Sequence, residues 1–160
     1  MQAMMMGRSA RQILGVGLIA GLVGGAAEIA WIALYLQLQG GSSSAVARGI
    51  TETVLPGSGD AAFAVAAGLA IHMVLAVVLG AAVAVVFARA FPGLSGTLTE
   101  FAAVVGVLVL VWTMNFLVIL PVVNPAFVTI VPYGASLTSK VLFGVAAALV
   151  FHTMSARARA

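Results

Sequence analysis

Glu28 and Lys140 pose the chemical question in this chain, because each lies inside a long apolar stretch where a charge meets no water. A lone ion at the centre of a hydrocarbon layer costs roughly 3 kcal/mol or more, so each is expected to have a partner. His72 and Asn115 stand in the other two apolar stretches. Counted from the end of each stretch on one common side, Glu28 lies about eight residues in, Lys140 about six, Asn115 about five and His72 about eleven. At 1.5 Å of rise per helical residue, Glu28 and Lys140 share a level to within a few ångströms. The spacing predicts a Glu28–Lys140 ion pair, with His72 and Asn115 completing an intramembrane polar cluster. Such a cluster can pin a helix arrangement, or it can handle protons or ions, since Glu and His are readily tuned to titrate near neutrality.

The neighbours of both charges are small. Gly17, Gly21 and Gly25 recur every four residues, and Glu28 follows Gly21 by seven, which places it on the same helical face. Ser136, Lys140, Gly144 and Ala148 repeat the pattern at spacings of four. Faces of this kind let helix backbones approach closely, so both charges are expected to point at other helices and the small residues to serve helix packing.

Other chemistries are poorly served. Cysteine is absent, which excludes disulfides, thiolate metal sites and thiol nucleophiles. The two histidines, His72 and His152, fall at different levels of the bundle and so do not suit bis-histidine haem ligation. His72 and Glu28 offer two ligands where a metal takes three or four. The methionines Met1, Met4, Met5 and Met6 at the chain start make no metal case of their own. There is no phosphate-binding loop, nucleophile motif or pair of catalytic carboxylates, so neither a metal, a cofactor nor an enzymatic activity is expected.

The elements that must position the cluster are four apolar runs, at about 13–36, 61–87, 101–120 and 134–151. Hydrophobic residues make up 63% of the 160 and charged residues only 7%, against about a quarter in soluble domains. About twenty apolar residues cross a bilayer as a helix, and lipid requires each segment to satisfy its own backbone. The expected fold is therefore all-α: one membrane domain over 1–160, a four-transmembrane-helix bundle. The first run is too long for the core of a cleaved signal peptide and contains Glu28, so it is read as a retained span. Arg8, Arg11, Arg89, Arg157 and Arg159 fall on one side and Arg48 on the other, which places both termini in the cytoplasm. The net charge of +3 reflects that asymmetry; the arginines are scattered, so no nucleic-acid partner is expected.

Between the first two runs, Gly40-Gly41-Ser42-Ser43-Ser44 reads as flexible linker. It precedes a short helix over Ala45–Leu55, stopped by Pro56-Gly57 and lying at the membrane surface. Thr97 and Glu100 fit a capping box opening the third helix, and Pro121 is expected to close it. The segment from Pro121 to Gly134 is an apolar loop by its prolines, either interfacial and anchored by Phe127 and Tyr133 or re-entrant, with the interfacial form favoured. Trp31 and Tyr35 suit an interfacial aromatic belt, and Trp112 a packing role.

Gly17-Leu-Ile-Ala-Gly21, Ile71-His72 opening a run that ends at Phe91-Pro92, the Phe116–Pro121 helix end and Ser139 through Gly144 resemble, in order, the YagU-type bacterial inner-membrane proteins. The resemblance covers about two-thirds of the chain and implies a multi-pass protein of the bacterial inner membrane, loosely associated with acid tolerance. Val145 stands where that family tends to carry a second histidine. The functional expectation is a non-enzymatic membrane protein whose partners are the bilayer and either further copies, packed through the glycine face, or a larger membrane complex. The alternative is a small transporter or channel that handles protons or a solute through the polar cluster.

Overall fold

The computed structural model describes residues 9–157, and every described segment of regular structure is helical. Four helices, Ala10–Leu38, Ala64–Ala90, Leu98–Val123 and Tyr133–Met154, are long and apolar enough to cross a membrane. Arg8 and Arg159, which enter the orientation argument, lie outside the described residues, as do the side chain of Arg157 and the N-terminal methionines.

Helix α1, Ala10–Leu38, opens on a capping box in which Ser9 Oγ accepts from the Gln12 amide and Gln12 Oε1 from the Ser9 amide. It closes on Gly40 at φ 73°, with the Gly41 amide donating to Leu36 O and the Gly40 amide to Gln37 O. This is a Schellman cap, which glycine alone adopts without steric cost, so Gly40-Gly41 is a helix stop rather than a flexible linker. Helix α2, Ser43–Val54, follows and packs on the first turns of α3, Ala64–Ala90. Thr51 Oγ1 donates to Ala64 O at 2.6 Å, and Gly68 lies directly against the Ala47 backbone.

Helix α4 starts at Leu98, where Thr97 Oγ1 accepts from the Glu100 amide. Glu100 Oε2 accepts from Gly96 rather than Thr97, one residue earlier than in a standard box. Pro121 does not close α4. A single π-turn at Asn115–Ile119 widens the helix and the chain continues helical to Val123. A proline removes one amide and crowds the carbonyl four residues back. The wider turn, in which the Leu120 amide donates to Asn115 O, makes room for the Pro121 ring. The expected loop beyond it contains a further helical turn, α5, Phe127–Ile130, before α6, Tyr133–Arg157. Phe127 and Val131 are buried, so Phe127 is not an outward anchor; Tyr133 remains exposed.

The long helices are arranged in the order α3, α1, α6, α4, with extended packing between α1 and α3, α1 and α6, and α4 and α6. Glycine sets the first two contacts. Gly17 and Gly21 press on the backbone of α3 at Gly80, Ala81, Ala76 and Val77, and Gly24 leaves room for the Phe143 ring of α6. The Gly17, Gly21 and Gly25 face is therefore filled by α3 of the same chain, which corrects its assignment to contacts between copies. Gly144 lies against Val105 of α4. Toward the chain termini the bundle closes over Val16, Ala20, Phe87, Val104, Leu108 and Phe143. At the other end α3 and α4 part, and α2 and α5 cover the gap.

Candidate functional site: a capped cavity with a charged floor

The gap between α3 and α4 is a half-open cavity of about 450 Å³. Its walls are apolar: Ile29 and Ile32 of α1, Leu69 of α3, Val111 and Phe116 of α4, and Val131 before α6. Its roof is α2, through Val46, Ala47 and Ile50, together with Phe127 of α5. The roof is stitched by Asn124, whose Nδ2 donates to Thr53 Oγ1 at 2.9 Å, and by the Phe127 ring seated on Gly49. At the far edge of α2, Arg48 donates to Gly59 O at 3.0 Å, and the Glu52 carboxylate accepts from the Gly57 and Gly59 amides at 2.8 Å each. Those two amides hold the Glu52 carboxyl below its ordinary value.

The floor carries the charges. Glu28 Oε1 lies 2.8 Å from Lys140 Nζ, and Glu28 Oε2 lies 3.8 Å from His72 Nε2. The same imidazole nitrogen is 3.4 Å from Gly25 O, so a proton on Nε2 has two oxygens to choose between. Lys140 also sits 5.0 Å above the Phe143 ring, which Gly24 admits to the α1 surface. The side chain of Glu28 is 6% exposed, those of Lys140 and His72 17% and 23%. The acid is the least exposed of the three, and all three side chains line the cavity.

Asn115 lines the same cavity but is exposed, with no hydrogen bond to the other three. It opens the π-turn, with its own amide still donating to Val111 O as in a regular helix. Ser136 is buried and occupied: it accepts from Trp112 Nε1 at 3.0 Å and donates to Tyr133 O. Ser139 Oγ donates to Ser136 O, and Trp31 Nε1 ties α1 to α6 through Ala135 O at 2.9 Å. Trp31 is therefore part of the packing as well as near a helix end. Ala148 is buried in the core below.

Sequence reasoning missed Gly24, Gly68 and Gly80, and took the Ser139–Gly144 stretch with Phe143 only as part of a family resemblance. Gly24 was legible as the neighbour of Gly25, but its partner ring was not. Among the described residues no group of three or more His, Cys, Asp or Glu side chains could hold a metal. Compared with known protein families, with characterised proteins and with solved structures, the chain matches none, so its likeness to the YagU-type proteins rests on the residues quoted for it.

Proposed function

We propose that the chain is a multi-pass protein of the bacterial cytoplasmic membrane, with both termini cytoplasmic, which takes a small molecule into the capped cavity without transforming it chemically. The observation that carries this reading is the cavity. Its volume falls within the roughly 300–1,000 Å³ of small-molecule sites, its walls are apolar, and a few polar groups converge at its floor. The rival reading, a subunit assembling through its glycine face, loses its main support because α3 already fills that face. Solute handling is therefore preferred over a purely structural role.

The test is native mass spectrometry of the protein released from lipid nanodiscs, with Leu69→Trp as the cavity-filling comparison. The wild-type protein is expected to retain a small adduct that the variant, unfolding at a similar temperature, has lost. Bare protein in both cases, or the same adduct on both, refutes the cavity as a binding site.

A further inference from the structure

We infer that the cavity takes an amphiphilic monoanion, one anionic head on an apolar body, and that binding is accompanied by one proton held on His72. The inference rests on the cavity being a binding site and adds to it the class of ligand and a coupled ion.

The head-group preference follows from which atoms are reachable. Glu28 is the one acidic group at the floor, and its two oxygens already face Lys140 and His72. A cationic ligand would have to displace a lysine held at 2.8 Å. Lys140 has three N–H donors; its partners among the described residues are Glu28 Oε1 and the face of Phe143, and its side chain is open to the cavity. Asn115 adds an amide at the cavity wall. The hydroxyl hydrogens of Ser136 and Ser139 are committed to carbonyls and offer no competing donor. An anion descending between the apolar walls therefore meets donors, and its tail meets Ile32, Leu69 and Phe116.

The proton follows from charge balance. With His72 neutral, Glu28 and Lys140 cancel, and a bound anion leaves the floor at minus one. In a low-dielectric site an uncompensated charge is costly, and a proton on His72 restores neutrality. His72 is the one imidazole among the groups at the floor, and imidazole as a chemical class exchanges protons near neutral pH. Glu28 from α1 lies 3.8 Å from His72, and Lys140 from α6 and Asn115 from α4 line the same cavity. From α2, Arg48 and Glu52 turn to the 57–61 segment and line no part of the cavity. No bond of the ligand is made or broken; one proton from solvent forms an N–H bond on His72 as the anion enters.

Octanesulfonate, octanol and octyltrimethylammonium separate the possibilities, since the sulfonate stays ionised at all working pH values and any proton taken up belongs to the protein. Binding is measured calorimetrically in nanodiscs against the Leu69→Trp variant. Octanesulfonate is expected to bind about tenfold tighter for each unit by which pH falls, over the range in which one proton is taken up per anion bound. Weakly buffered wild-type protein should take up about one proton per sulfonate bound, a readout that needs no variant. His72→Gln should flatten the pH dependence, while octanol binds without it and the ammonium binds least. Octanol or the ammonium binding as tightly as the sulfonate overturns the anion preference. Absence of proton uptake, or a pH dependence that survives His72→Gln, overturns the coupling. If none of the three binds better than to Leu69→Trp, the cavity reading itself falls.

Discussion

Gly21→Ala tests whether the glycine face of α1 is used within the chain. A Cβ added at Gly21 would stand 2.5 Å from Ala76 O and 2.6 Å from Val77 Cα, both backbone atoms of α3. Ordinary contact begins at 3.4 Å, so the shortfall is about 0.9 Å. Neither atom can swing aside, and α3 must move outward by roughly that distance at this level. Overpacking of this kind costs typically about 1–3 kcal/mol. Gly15→Ala is the matched control, on the same helix with nothing within 4 Å of its new Cβ. It gains helix propensity of up to about 1 kcal/mol and has no clash to offset it. Gly21→Ala shares that gain, so the clash alone separates the two variants, by about 1–3 kcal/mol in unfolding free energy, read by steric trapping in bicelles. Equal stabilities would refute the packing argument. A Gly21→Ala protein that dissociates from an oligomer while its own unfolding is unchanged would show that the face meets another copy.

Two further outcomes follow from the same geometry. Lys140→Met strands the Glu28 carboxylate and should lower stability by about 3–5 kcal/mol, whereas adding Glu28→Gln should recover most of the loss; unfolding of both variants and the double mutant checks it, and simple additivity would refute the pairing. The Glu52 carboxyl is held below its ordinary value of 4.5 in the folded protein, so its contribution is present above that pH and is lost as pH falls through the lower folded value. Hydrogen exchange at Gly57 and Gly59, in the turn after α2, should accelerate relative to α2 itself in that acid window, and Glu52→Gln should show the faster exchange already at neutral pH.

The four long helices and the level shared by Glu28 and Lys140 were legible because apolar run length and 1.5 Å of rise per residue are local properties. The order of the helices was not. Gly17, Gly21 and Gly25 announce that something approaches closely, but their spacing does not say whether it is α3 or another molecule. The answer lies in Gly80, a lone glycine more than fifty residues away whose meaning appears only once it faces Gly17 and Gly21. Pro121 misled for a related reason. A proline ends a regular helix, and the π-turn that lets α4 continue has no signature in residue types. The roof over the cavity depends on Asn124 meeting Thr53 and Gly49, a contact across some seventy residues.

The pairing of α1 with α6 also sets an order of events during synthesis. Glu28 is made 112 residues before Lys140, which at ribosomal rates of about 5–20 residues per second is a wait of roughly 6–22 s. His72 arrives well within that interval, on the helix that docks through glycine against α1. The nascent carboxylate thus meets an imidazole before an ammonium, and α6 neutralises a charge that α1 has carried since long before it.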